Sequence, residues 1–426
     1  MPGILGLLAA ALVACGSPDP GGRRVLLVGI DGATLRVAGP MVRDGRLPNL
    51  MRMGRTGVYG PLRSQLPLAS PRIWTSIATG KLPEKHGILN FAHPGEGDSD
   101  AHLYLSVDRK VHALWNIASD AGLSVGVVNW WNTYPPEAIH GVIVSDHVIP
   151  SEIGGRRWLT GAVAPERAPT IHPPEWAERV AVALEDDRPL TDIEDPFGDG
   201  SGLPGWTKPG RLSEYYRTDE AITRIALDVE AGLQPDLLMV FLPGIDRVSH
   251  VLWGGIEPPA TGGKAPAMSA EERASAAEAL RRYYEYTDAL IGRLMEGFGS
   301  DDLVMVVSDH GFEAGSTLKD TTGVHVSRKA LRGLLFARGR GIEPPATAEP
   351  VSVNDVTPTI LAWLGLPVAS DMDGKVARFL PGGAPAEIAT YDTKPIERAS
   401  ARPSGAERAI LEQLQELGYL EEGGER

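Results

Sequence analysis

Three stretches, VLLVGIDG (25–32), DLLMVFLPGID (236–246) and LVMVVSDHG (303–311), are continuous apolar runs rich in β-branched residues, and each reaches an aspartate at its end. A strand that is apolar throughout has both faces buried, so these runs predict a parallel sheet covered by helices on both faces. Helical patterns lie between them. TDEAITRIALDVEAGL precedes the second run and SAEERASAAEALRRYYEYTDALIGRLMEGF the third, the latter opening on Ser269 and Glu272 at capping-box spacing. This alternation predicts an α/β fold on a mostly parallel sheet. Further along, ERAILEQLQELGYLEEGGER has apolar positions at helical spacing, which predicts an amphipathic helix and a polar tail within 401–426.

Other stretches break the pattern. Residues 150–215 are rich in Pro, Gly, Arg and Trp and lack a long apolar period, which suggests a cap inserted beside the sheet, with Arg156, Arg157 and Trp158 as candidates to grip a substrate. GGIEPPATGGKAPAMS (254–269) reads as a rim. The first 15 residues, MPGILGLLAAALVAC, have an apolar run too short to cross a bilayer but suited to a secretory signal. Leu12-Val13-Ala14-Cys15 looks like a bacterial lipobox, so the expectation is an exported chain anchored to a membrane by lipid on Cys15, with 16–22 as a tether. Cys15 is the one cysteine, which excludes an internal disulfide.

At 426 residues, 42% hydrophobic and 23% charged, the chain can bury a large core, as one α/β domain with insertions or two linked lobes. Its net charge of -14 argues against the basic face that nucleic-acid binding needs. An anionic substrate would then need a local positive source, and metal ions are the obvious one.

In parallel sheets ligands bind beyond the carboxyl ends of the strands. Asp31, Asp246 and Asp309 fall at that edge, with His310 beside Asp309 and His250 one helical turn after Asp246. Mixed carboxylate and imidazole donors suit zinc, manganese or iron better than calcium or magnesium. There are too many for one tetrahedral ion, which suggests two. His325, in GVHVSRKAL, is a further candidate for the set begun by Asp246 and His250. Ser70, in LASPRIWTSIATG (68–80), reads two ways: as the N-cap of a helix whose first turn takes Pro71, or as a nucleophile.

The pieces VGIDG, SPRIWTSIATGKLPEKHGI, Asp246-x-x-x-His250, SDHGF, GVH, VNDVTPTILAWLGLP and DMDGKV stand in one order along residues 23–380. Together they resemble the alkaline phosphatase superfamily, in particular its nucleotide pyrophosphatase/phosphodiesterase-like branch and the related bacterial phosphohydrolase/phosphomutase proteins. The resemblance implies an alkaline-phosphatase-like catalytic domain over 23–400. It implies one ion held by Asp246, His250 and His325, and a second held by Asp31, Asp309, His310 and the Ser70 hydroxyl. Ser70, where many members have Thr, would be the nucleophile of a double in-line displacement through a phosphoseryl intermediate, its helix N-terminus favouring the phosphate oxygen. Asn90 lies near the position where diesterases of this family place a phosphate-binding Asn. His86 reads as organising a turn and Pro135-Pro136 as structural.

Relatives of other kinds fit less well. Sulfatases need a C/S-x-P-x-R pattern, and SPR lacks the spacer. The cofactor-independent mutases conflict with an export signal, and the related transferases usually carry several membrane spans. A non-catalytic surface lipoprotein would be expected to have lost ligands, yet all seven positions hold suitable residues. The expectation is therefore a metal-dependent phosphohydrolase with two divalent ions, zinc or else manganese, acting on a small-molecule phosphate ester and preferring diesters. Monoester hydrolysis and phosphoryl transfer on the same core remain alternatives.

Overall fold

The structure is a computed structural model, and it describes residues 23–93, 102–148, 169–207, 209–258, 266–316, 321–344, 350–398 and 407–416. The lipobox with Cys15, the 16–22 tether, and Arg156, Arg157 and Trp158 lie outside the described residues.

A nine-stranded sheet forms the centre. Its strands are β1 (Val25–Ile30), β2 (Val58–Arg63), β3 (Val125–Val128), β4 (Gly141–Val144), β5 (Ile171–His172), β6 (Leu237–Leu242), β7 (Leu303–Val307), β8 (Arg332–Arg338) and β9 (Val351–Ser352), in the spatial order β9-β2-β8-β7-β1-β6-β3-β4-β5. The contiguous block β7-β1-β6-β3-β4 is parallel throughout. The three apolar runs are its centre, with every residue of β1, β6 and β7 buried.

Alternate residues of these strands feed two cores. Leu26, Val28 and Ile30 point to one, Val25 and Leu27 to the other. The first is covered by α1 (Leu35–Arg43), α2 (Pro48–Thr56), α5 (Ala177–Glu185), α6 (Pro209–Leu233), α7 (Gly244–Leu252) and α8 (Ala270–Met295); the second by α3 (Ser70–Thr79), α4 (Leu114–Asp120) and α9 (Val356–Trp363). Helix α8 starts at the expected capping box, where Ser269 Oγ accepts from the Glu272 N–H at 3.1 Å and Glu272 returns the bond to the Ser269 N–H at 2.7 Å. A last helix, α10 (Glu407–Glu416), lies within the stretch that reads as amphipathic. No helix among the described residues is long and apolar enough to cross a membrane.

Two local details differ from the sequence reading. Ser70 does not cap α3: the extended residue whose carbonyl accepts the first helical bond, from the Ile73 N–H at 3.1 Å, is Ala69. Ser70 is then the first helical residue and its hydroxyl is not spent on the backbone. Within 150–215, β5 pairs antiparallel with β4 and α5 packs on α6, so that part of the stretch extends the sheet layer.

Candidate active site and metal centre

Because five neighbouring strands run the same way, whatever follows each of them arrives at one edge. Asp31 follows β1, Asp246 and His250 lie in α7 directly after β6, and Asp309 and His310 follow β7. His325 comes from the hairpin beyond, and Ser70 from the start of α3. The β1 turn into this edge needs Gly32, whose φ is 68° and where a Cβ would stand 2.6 Å from the Phe312 ring.

The residues meet as two clusters, Asp246 with His250 and His325, and Asp31 with Asp309 and His310, each with its ligand atoms within 4.8 Å of one another and all six side chains buried. Asp246 stands at the join. Its Oδ1 lies 3.6 Å from His325 Nε2 and 3.9 Å from His310 Nε2, and its Oδ2 lies 3.6 Å from His250 Nε2. In the other cluster His310 Nε2 is 3.3 Å from Asp31 Oδ1 and 3.4 Å from Asp309 Oδ2. Ser70, 2% exposed, directs its hydroxyl at Asp31 Oδ1 across 3.5 Å.

The imidazoles are oriented from behind. His250 Nδ1 donates to the Gly323 carbonyl at 3.0 Å and His310 Nδ1 to the Gly311 carbonyl at 3.1 Å, so in the neutral rings the Nε2 lone pairs face the carboxylates. Lone pairs aimed at carboxylate oxygens over 3.3–3.9 Å repel unless a cation lies between them. In the metal-free site protons take the place of a cation. Burial pushes the Asp309 carboxyl up, and the neighbouring Asp31 charge adds to it. Burial lowers His310, but Asp309 and Asp31 outweigh it and hold that imidazole up at about 10. Burial, with His310 and His250 nearby, keeps His325 well below its ordinary value. Buried Asp309 Oδ2 makes no hydrogen bond among the described residues. Two cations of the transition-metal type fit these donors.

A cavity opens beside the clusters, lined by Asp31, Ser70 and Asp246 and walled by aromatic side chains. Asn90 is exposed, accepts a bond from the Phe91 N–H at 2.9 Å and does not line this cavity; Phe91 does. His86 is fully buried between Ser76 Oγ at 3.0 Å and the Ile88 N–H at 3.2 Å, well occupied as a turn organiser. Residues that the sequence reading missed also line the cavity: Asn129 after β3, Asp146 and His147 after β4, and Arg247 in α7. One signal pointed to the second pair. Val144-Ser145-Asp146-His147 repeats Val307-Ser308-Asp309-His310 at the end of a parallel strand. Burial pushes Asp146 up to about 6 although Asn132 and Thr133 donate to it.

Solved structures align with the chain at low identity. A 2-O GAG sulfatase aligns with a TM-score of 0.53 at 12% identity, over 84% of this chain and 74% of that one. Murine ectonucleotide pyrophosphatase/phosphodiesterase 5 aligns with a TM-score of 0.48 at 12% identity, over 84% of this chain and 98% of that one. Phosphonoacetate hydrolase from Sinorhizobium meliloti 1021 gives 0.42 at 15% identity, over 68% and 57%. No curated protein matches significantly. The family model for type I phosphodiesterase / nucleotide pyrophosphatase matches residues 25–338, from the first residue of β1 to the last of β8, a span that holds Ser70 and both clusters. The chain therefore belongs to the type I phosphodiesterase / nucleotide pyrophosphatase family, and its chemistry is that of a phosphohydrolase.

Proposed function

We propose that the protein is a metal-dependent phosphodiesterase that attacks phosphorus with Ser70, exported and held to a membrane by lipid on Cys15, with its catalytic domain over 23–400. One observation carries the enzymatic part: two buried donor clusters and an unspent serine hydroxyl converge on one cavity. Asp246, His250 and His325 would hold one divalent ion, and Asp31, Asp309, His310 and Ser70 Oγ the other, with zinc the first choice and manganese the alternative. When bound, such ions supply Lewis acidity and lower the pKa of a coordinated hydroxyl.

The chain's own groups do the rest. Asp31 orients the Ser70 hydroxyl, which attacks the phosphoryl group in line while the ester oxygen departs on the opposite side. Ser70 opens a ten-residue helix, so that helix's positive end faces the phosphoryl oxygens during the transfer. Water then attacks the phosphoserine and returns Ser70 to its free form. Arg247 adds positive charge to the cavity wall.

The test is hydrolysis of paired aryl mono- and diesters of phosphate after chelation and re-addition of zinc or manganese. Faster metal-restored turnover of the diester supports the proposal, and a monoester preference moves it to a phosphomonoesterase. No turnover of either ester, with two ions bound per chain, favours phosphoryl transfer instead.

A further inference from the structure

We infer that α10 forms one wall of the subsite for the ester group that is not expelled, and that this subsite takes a compact apolar group such as a single ring or a short alkyl chain. The inference rests on the phosphodiesterase reading above. Leu414 is 4% exposed and packs in a separate small core with Ala69, Phe91 and Leu103. Ile410 and Leu411, one turn earlier, join it, so a single apolar stripe of α10 faces the domain. The wall is physically continuous with the nucleophile, since Ala69 is the N-cap of the helix that Ser70 opens.

The same stripe faces the catalytic cavity. Ile410 and Leu414 line it together with Phe91, Leu103, Trp131 and Phe241, and with Asp31, Ser70 and Asp246. Trp131 meets Phe91 edge-on at 5.8 Å and Phe241 at 6.1 Å, so the aromatic walls brace one another. The chain ahead of α10 is fastened by Arg398, which donates to Glu137 at 3.0 Å and to the Arg109 carbonyl at 2.6 Å.

Size and charge then select the ester group. The cavity volume is about 70 Å³, well below the roughly 300–1,000 Å³ of pockets for larger ligands. Apart from the metal ligands, its lining among the described residues carries one carboxylate, Asp146, and one guanidinium, Arg247, so it offers no surplus of positive charge to a second phosphate on the ester group.

Three p-nitrophenyl diesters, whose second group is methyl, phenyl or 5′-thymidyl, test this on the full metal-loaded chain. The phenyl ester should exceed the thymidyl ester at least about tenfold in kcat/KM, carried by KM. Leu414→Ala should raise the thymidyl ester relative to the methyl ester by about tenfold, and Leu414→Trp should lower the phenyl ester relative to it by a similar factor. Unchanged ratios among the three esters in these variants, whatever their absolute rates, overturn the inference and leave the phosphodiesterase reading standing. If the tryptophan variant does not melt cooperatively, the alanine variant alone decides. Failure of the parent protein to cleave any of the three sinks the phosphodiesterase reading, and this inference with it.

Discussion

Ser70 Oγ lies 3.5 Å from Asp31 Oδ1, a contact that joins the end of the first strand to the start of a helix 39 residues later. With Ala69 as the N-cap, the serine hydroxyl is left to the cluster rather than to the backbone. We expect Ser70→Ala to lower turnover at least about a thousandfold while bound metal stays near the parent content, read by elemental analysis. Turnover within about tenfold of the parent would mean that another group attacks phosphorus.

Asp246 faces three imidazoles at once, from His250, His310 and His325. Asp246→Asn keeps the shape but removes the charge that offsets a cation on either side. Metal content after dialysis should fall by at least one ion per chain, and kcat/KM by at least about a hundredfold. Full metal content in the variant would show that the histidines suffice.

Metal removal should cost more stability as pH rises. In the metal-free protein Asp309 is raised and His310 held up at about 10, so the folded state binds more protons than the unfolded one. The His310 contribution is present below its unfolded value of about 6.5 and is lost as pH rises through about 10. Metal binding follows the opposite course, because its ligands must be deprotonated. The gap between metal-loaded and chelated melting temperatures should therefore widen from pH 6.5 to pH 9. A gap that narrows over that range would contradict this ligand assignment.

The central fold was legible because β1, β6 and β7 are buried on both faces and so contain no polar interruption. Strand-end aspartates then pointed to the edge where the two donor clusters meet. What stayed hidden depended on partners. Strand β5 is two residues long, too short to show an alternating period. Helix α10 was visible as an amphipathic stripe, but no pattern in the sequence says that the stripe packs on Phe91 and Leu103 beside Ser70. Asn90 illustrates the limit of a motif count: one position separates an exposed turn side chain from Phe91, which lines the cavity. The Asp146-His147 pair was recoverable from its likeness to Asp309-His310.

His86 should make the fold sensitive to acid. Burial, with Arg72 and Arg109 nearby, lowers it to about 3, and its Nδ1 is occupied as an acceptor from the Ile88 N–H. A lowered histidine contributes stability that is present above about pH 6.5 and lost as pH falls toward about 3. Between pH 7 and pH 4.5 that amounts to about 2–3 kcal/mol. His86→Gln, which removes the titration, should flatten the pH dependence of the urea midpoint over this interval. A slope equal to the parent's would assign the acid sensitivity to other groups.

Glu137 is 1% exposed and gathers a buried network: Arg109 Nη2 donates to both of its oxygens at 2.7 Å, Trp115 Nε1 at 2.7 Å, Asn116 at 3.0 Å and Arg398 at 3.0 Å. Burial works against its charge, but Arg109 more than compensates and holds the carboxyl below its usual range. Removing one partner leaves a guanidinium that is 1% exposed without its counter-charge, and such a loss typically costs about 3–5 kcal/mol. Glu137→Ala should therefore shift the urea midpoint far more than Asp186→Ala, because the Arg188 partner of Asp186 is 84% exposed and solvent already screens that pair. Since Arg398 also fastens the chain ahead of α10, the Glu137 variant should lose discrimination between phenyl and thymidyl esters while it remains folded. Retained discrimination would place the hold on α10 in its own contacts with Phe91 and Leu103.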